Sequence, residues 1–197
     1  ALAEFFAPPL KDPKRPELGY VAYTPRGIDI DRNGVVYTGM SGSGHLGAFD
    51  RRKCKSQITG VKLMDPQSCP EGWTFYLGPG PNFKGLDEAG TADMHYFNWV
   101  DQHDTSGLGR NTPFLTGNNS DSLIALVNGK WVLFRVPYPL GFFPKGMDGR
   151  IVDPKGGWKG RGLWATNGSE GSWHLEGGKG QKGKVYHFQV RPDPLAK

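Results

Sequence analysis

The sequence predicts an all-β protein built from about three tandem four-stranded antiparallel units. Three observations support this: a short phrase that recurs at long intervals, strand-like runs between its copies, and a turn-rich composition. The phrase is a basic residue, a glycine, an apolar residue and an aspartate, and it occurs at 26–29, 84–87 and 145–148. Self-similarity at a nearly constant long period is typical of a repeat architecture.

The runs between the phrases have the composition and length of β-strands. They lie at 35–38, 46–49 and 73–77 in the first unit, at 94–97, 123–126 and 131–136 in the second, and at 162–166 and 185–188 in the third. β-branched and aromatic residues favour strands, and the Gly, Pro, Asn and Asp between them favour turns. Asn33-Gly34 and Asn128-Gly129 predict hairpins. Repeated antiparallel units with the phrase as first strand indicate β-propeller blades.

Composition agrees with this fold class and argues against some partners. The 197 residues include 30 Gly and 16 Pro, which suit a turn-dense all-β protein better than a helical one. No apolar run approaches the roughly 20 residues that a membrane-spanning helix needs. The formal net charge of +5 comes from scattered basic residues. A nucleic-acid groove would place basic and exposed aromatic residues together on one face, so we expect no nucleic-acid partner.

The first unit resembles a blade of the NHL and streptogramin-lyase-like (virginiamycin B lyase-like) β-propeller repeat family. The residues that carry the resemblance are 25–37, PRGIDIDRNGVVY, and 46–50, LGAFD. They match a proline-x-glycine-apolar strand, an aspartate-to-glycine hairpin, an aromatic strand and a later glycine-containing strand. The third unit matches through 144–148 and 184–188, and the second matches in part. The resemblance implies a fold more than an activity, because propellers host many unrelated functions.

The repeat pattern predicts a single propeller segment over 1–197. We expect 1–19 to supply the outer strand of a preceding or closing blade, and 20–81, 82–139 and 140–197 to form one blade each. Propellers usually contain about 4–8 blades, and an open stack exposes strand edges and apolar faces. We therefore expect further blades from a second copy, a companion chain or another part of the same protein. The predicted function is a binding or scaffold module within that assembly.

The two cysteines, Cys54 and Cys69, bracket the insertion between the third and fourth strands of the first unit. A disulfide between them would close a loop of about 15 residues and contribute roughly 3 kcal/mol. Two cysteines fit neither a structural zinc site nor an iron–sulfur cluster. We expect a disulfide, and with it a secreted or periplasmic location.

The repeated phrase predicts a polar site at the mouth of the channel, because the innermost strand of each blade lines the propeller axis. The candidate ligand-binding residues are Arg26, Asp29, Lys84, Asp87, Lys145 and Asp148. A divalent cation such as Ca²⁺ or Mg²⁺ prefers several oxygen ligands, so a cation site and a pocket for a small molecule are both open. A structural alternative is that each aspartate caps a turn or pairs with its basic neighbour.

The resemblance to streptogramin lyases implies a second function, a metal-assisted lyase or hydrolase with a histidine base. The candidate catalytic residues are His103, His174 and Glu176, and the candidate metal ligands are Asp101, His103 and Asp104. Histidines and carboxylates suit acid–base and metal chemistry. None of them lies in a diagnostic catalytic motif, and each is also explained as an ordinary loop residue. The sequence leaves open whether the protein is an enzyme.

Overall fold

A computed structural model of the chain describes residues 4–55, 67, 69–80, 91–138, 140–149, 162–168 and 183–190. These residues contain eleven strands in three antiparallel sheets. The helical turns in the same part of the chain are of the 3-10 type, at Pro16–Leu18, Arg51–Lys53 and Pro70–Gly72. None of the helices described has the length and hydrophobicity that crossing a bilayer would need. The predicted all-β class is confirmed.

Every described sheet is a meander in which each strand pairs with the next one along the chain. The first sheet contains β1 (Pro25–Ile30), β2 (Val36–Met40), β3 (His45–Phe49) and β4 (Trp73–Leu77). The second contains β5 (Asn98–Asp101), β6 (Thr112–Gly117), β7 (Ser122–Val127) and β8 (Lys130–Arg135). The third contains β9 (Met147–Asp148), β10 (Leu163–Asn167) and β11 (Lys184–Phe188).

The first strands of the three sheets lie side by side. β1 contacts β5, and β5 contacts β9. The sheets therefore share an inner edge, as the blades of a propeller do. The three described sheets do not close into a ring.

A related hydrogen bond recurs in the three sheets; its donor is a threonine hydroxyl in the first sheet, where the ladder shifts register between Arg26 and Asp29, and a threonine N–H in the other two. In each, a threonine of the second strand donates to a backbone carbonyl on or beside the first strand. The bonds run from Thr38 Oγ1 to Gly27 O (2.8 Å), from Thr116 N to Phe97 O (3.0 Å) and from Thr166 N to Gly146 O (3.0 Å). Gly27, Phe97 and Gly146 are therefore equivalent positions.

This alignment corrects the strand assignment of the second unit. The sequence predicts a first strand at 84–87, which lies outside the described residues, and a second strand at 94–97. Among the described residues the second sheet begins at Asn98, and 94–97 form no ladder. The place of the repeated phrase is taken by 96–99, whose letters YFNW do not match it. The cause is β6, whose Pro113 and Gly117 make a fully buried strand resemble a loop.

Packing between the second and third sheets forms the larger apolar cluster. Its buried members are Trp99, Phe114, Leu123, Ala125, Val136, Phe142, Met147, Leu163 and Ala165. A smaller cluster joins the first and second sheets through Leu46, Leu115, Ile124 and Leu126, with Tyr37, Tyr76, Trp131 and Leu133 against it. Both clusters arise because alternate side chains of a strand point to opposite faces of its sheet.

The amino-terminal segment packs on the opposite face of the first sheet. The ring centroids of Phe6 and Phe49 lie 4.7 Å apart, and both rings belong to a cluster that contains the Cys54–Cys69 disulfide. The predicted disulfide is thus confirmed.

The described part of 1–19 joins none of the three sheets. Its one ladder contact is an isolated antiparallel bridge between Leu10 and Tyr20. The assignment of 1–19 to a preceding or closing blade stays a prediction, as do the blade boundaries 20–81, 82–139 and 140–197.

Candidate functional site

Three side chains from equivalent positions of the three blades meet at the inner edge. Arg26, Tyr96 and Lys145 each directly precede the aligned positions Gly27, Phe97 and Gly146. The Arg26 guanidinium carbon lies 4.7 Å from the centroid of the Tyr96 ring, and Lys145 Nζ lies 5.9 Å from it. We call these three residues the channel-mouth cluster.

The cluster concentrates positive charge. Arg26 and Lys145 are exposed, and none of the ion pairs between described residues includes Arg26. A cation over an aromatic ring at an exposed site gains roughly 0.5–1 kcal/mol, which favours the placement of both cations beside Tyr96.

The aspartates of the phrase bind backbone N–H groups. Asp29 accepts from Ile30 N through Oδ1 and from Val100 N through Oδ2, both at 2.8 Å. Its carboxylate therefore ties the first blade to the second. Asp148 Oδ1 accepts from Gly149 N at 2.7 Å. The other predicted members, Lys84 and Asp87, lie outside the described residues.

The candidate metal ligand Asp101 caps the loop that follows β5. It is fully buried, its Oδ1 accepts from Thr105 N at 2.9 Å and from His103 N at 3.3 Å, and its Oδ2 accepts from Ser106 N at 2.7 Å. Both oxygens are thus occupied by backbone donors. This is the role of a turn-capping aspartate.

Of the other candidate catalytic and metal-binding residues, the structure describes His103 and Asp104. Asp104 Oδ1 accepts from Gly109 N at 2.8 Å, and His103 is exposed. Among the residues that the structure describes, no group of three or more His, Cys, Asp or Glu could hold a metal ion. His174 and Glu176 lie outside the described residues.

Sequence reasoning missed a layer of buried polar contacts between the first and second blades. The ring of His95 is fully buried, with Nδ1 3.0 Å from Thr116 O and Nε2 3.3 Å from Gly44 O. The two carbonyls belong to different blades, so the ring lies between the first and the second blade. Asn98 Nδ2 donates to Tyr37 O at 3.1 Å. His95 sits in an aromatic run, and nothing in the local sequence indicates these partners.

A polar cleft opens between the same two blades. Tyr37 and Tyr76 line it from the first blade, and 108–113 and 126–129 line it from the second. Its volume is about 260 Å³. Burial, and then the charge of Asp31, raises the pKa of Tyr37 to about 12, with smaller contributions from Tyr76 and Asp50. We call this space the interblade cleft.

The three adjacent antiparallel sheets, with their inner strands in contact, are blades of a β-propeller. Neither a protein-family model nor a curated protein sequence matches the chain. Two solved structures that resemble it are a streptogramin B lyase, with a TM-score of 0.47 and 15% identity over 95% of this chain, and a catalytically inactive virginiamycin B lyase from Staphylococcus aureus with quinupristin, with a TM-score of 0.44 and 14% identity over 86% of this chain. The chain spans 44% and 42% of those two proteins. A likeness this distant carries no argument about activity or ligand.

Proposed function

We propose that this chain is a binding module that supplies three consecutive blades to a larger β-propeller and holds a small anionic ligand at the channel-mouth cluster. The observation that carries the proposal is the convergence of Arg26 and Lys145 on the ring of Tyr96. The three side chains come from equivalent positions of three blades, so the propeller geometry itself assembles the site.

The residue types favour a compact carboxylate or phosphate. A guanidinium offers a planar pair of N–H donors that matches the two oxygens of such a group, and an ammonium adds a point charge. Asp29 and Asp148 are engaged by backbone N–H groups. Their carboxylates contribute to the backbone framework beside the cluster.

Calorimetric titration with citrate and with inorganic phosphate tests the anion site. We expect binding that weakens as salt is raised, because both cations are exposed. Arg26→Gln and Lys145→Gln should each weaken it by about tenfold, or roughly 1.4 kcal/mol. Arg135→Gln, at another exposed arginine, is the matched control. Equal affinity in wild type and in both cluster variants would contradict the proposal.

The outer face of the third sheet supports the proposal of further blades. β10 buries Leu163 and Ala165 against the second blade and exposes Trp164 (46%). Val185 on β11 is 64% exposed, and the rings of Trp164 and His187 stack at 4.1 Å. A sheet face that exposes a tryptophan and a valine is suited to packing against another blade. Another copy, a companion chain or another part of the same protein would supply that blade.

Light scattering on purified chain tests association between copies. We expect a mass above the 21.6 kDa of one chain, and a shift toward that mass for Val185→Lys, which places a charge on the face. Lys130→Gln, on the second sheet, is the control. A wild-type mass of 21.6 kDa over a wide concentration range would contradict association between copies.

The disulfide supports a further element of the proposal, a secreted or periplasmic location. Disulfides persist in oxidising compartments and are rare in the cytosol. The Cys54–Cys69 bond closes a loop of 15 residues on the first blade. The alternative of a metal-assisted lyase or hydrolase has no specific support in the described residues.

A further inference from the structure

We propose that the interblade cleft is a second binding site, separate from the channel mouth, and that it takes a neutral polyhydroxylated ligand of the size of a sugar ring. It is lined by Tyr37 and Tyr76 of the first blade and by Arg110 and Asn128 of the second. The inference does not rest on the anion site.

Polar groups at the cleft are available to a ligand. No hydrogen bond between described residues uses the hydroxyls of Tyr37 and Tyr76 or the side chains of Arg110 and Asn128. Arg110 and Asn128 are exposed. Phenol and amide groups both donate and accept, and a guanidinium donates. This mixture of donors and acceptors suits a ligand with several hydroxyl groups, because each hydroxyl both donates and accepts hydrogen bonds.

The cleft has fixed walls. At its rim, Asn111 Oδ1 accepts from Arg32 N across the two blades at 3.0 Å. Trp131 Nε1 donates to Leu77 O, also across the blades, at 2.8 Å. Bonds on residues beside the cleft hold the blades at a set spacing, so a ligand would meet a largely preformed site. Preformed sites reduce the ordering cost of binding.

Two aromatic residues add a smaller apolar part to the mainly polar lining of the cleft. Tyr37 and Tyr76 pack against the apolar cluster between the first and second blades, and both line the cleft. Small-ligand sites combine aromatic surface with a few placed polar groups. The C–H face of a sugar ring can pack on the aromatic surface, and its hydroxyls can bind the polar groups.

Charge and size favour a neutral, small ligand. A tyrosine phenol is protonated at neutral pH, and the carboxylates of Asp31 and Asp50 act on Tyr37. Those negative charges act against an anion near Tyr37 and Arg110 adds one positive charge, so charges of both signs lie at the cleft, whereas the channel mouth has two cations. The volume of about 260 Å³ lies below the 300 Å³ or more typical of drug-sized ligands.

Ligand-observed NMR with D-glucose, D-galactose, D-mannose and N-acetylglucosamine tests the proposal on the whole chain. We expect saturation transfer to at least one sugar. A Tyr37→Phe, Tyr76→Phe double variant, which removes two hydroxyls and keeps the rings, should weaken the affinity by about tenfold. Tyr20→Phe, at an exposed tyrosine that is not part of the cleft lining, is the matched control.

Arg110→Gln provides a second test that does not depend on the folding of the tyrosine variants, because Arg110 is exposed. It should also weaken sugar binding, while Arg26→Gln should leave it unchanged. The proposal is overturned if none of the four sugars shows transfer, or if the double variant and Arg110→Gln bind as wild type does. Citrate binding lost in Arg110→Gln would assign the cleft to anions and would equally overturn it.

Discussion

The two junctions between neighbouring blades differ in the balance of their interactions. The junction of the second and third blades is filled mainly by aromatic and aliphatic side chains, with hydrogen bonds from Asn118 Nδ2 to Pro144 O and from Phe142 N to Asp121 Oδ1. The junction of the first and second blades has a smaller apolar cluster and a series of hydrogen bonds across it. These bonds join Asp29 to Val100 N, Asn98 to Tyr37 O, Gln102 to Ile30 O, Asn111 to Arg32 N and Trp131 to Leu77 O.

The two kinds of interaction contribute differently: apolar burial stabilises the fold, and hydrogen bonds fix the position of one blade against the next. Apolar burial contributes roughly 25 cal/mol per Å² and has no preferred direction. A hydrogen bond contributes a net of about 0.5–1.5 kcal/mol but fixes the geometry of its two partners. We infer that the apolar junction supplies most of the folding free energy. The polar junction sets how the first blade stands against the second, and it is where the interblade cleft stays open.

We expect the largest effect, a loss of unfolding free energy, from a leucine-to-alanine substitution, which can be made at each of the two junctions. Leu123 and Leu46 are both fully buried, one in each cluster. Leucine-to-alanine changes in cores cost about 2–5 kcal/mol, depending on the cavity left behind. We expect Leu123→Ala near the upper end and Leu46→Ala near the lower end, because Leu123 lies in the larger cluster. Urea unfolding measures both, and the reverse order would contradict the division of roles.

A smaller effect should follow from cutting one bond of the polar junction. Asp29→Ala leaves the Val100 N–H without its acceptor, at a cost of about 1–3 kcal/mol. Hydrogen exchange at the Val100 amide should become faster. Asp12→Ala removes a carboxylate that accepts from Lys14 N in an exposed turn, and it should change the unfolding free energy by less than about 0.5 kcal/mol. An unchanged exchange rate in Asp29→Ala would show that the bond does not hold the junction.

The first sheet was predictable because its strands are continuous runs between turn residues. The run 46–49 lies within β3 at His45–Phe49, and 73–77 coincides with β4 at Trp73–Leu77. The second sheet was not, because β6 contains Pro113 and Gly117 and because 96–99, which take the place of the repeated phrase, do not match it. A four-letter match does not determine which backbone pairs with which.

The two predicted hairpins show what an Asn-Gly pair predicts about a turn and what it does not. Asn128 (φ 49°) and Gly129 (φ 75°) both take the left-handed conformation that a two-residue turn requires. In the first hairpin only Gly34 does so (φ 83°), because Asp31 Oδ1 accepts from Asn33 N and Val35 N and shapes a longer turn. The hairpin was predictable, but its type was not.

The channel-mouth cluster was predictable only in part, because a local sequence pattern identifies some of its residues and not others. Arg26 and Lys145 belong to the repeated phrase, so the sequence identified them. Tyr96 shares no letter with the phrase, and its place beside them follows from the register between blades. The interblade cleft combines positions from 37 to 129, which no local pattern connects. Contacts across blades depend on packing that short motifs do not encode.

The smallest expected effect is a pH dependence that belongs to the first blade. His45 is 9% exposed and its Nδ1 has no hydrogen-bond partner in the described part of the chain. Burial is the main cause that lowers the pKa of His45; the nearby backbone of Ser43 raises it by less, and His95 has a smaller lowering effect. The unfolded chain therefore takes up a proton at His45 at a higher pH than the folded chain does.

Stability should consequently fall as the pH drops below the ordinary histidine value of about 6.5. Urea unfolding at about pH 7.5 and pH 5.5, on either side of that value, should show a smaller pH difference for His45→Gln than for wild type. Leu123→Ala should keep the wild-type difference, because the apolar junction it weakens carries no titrating group among its buried members. If His45→Gln retained the full pH difference, the pH dependence would have to come from groups other than His45.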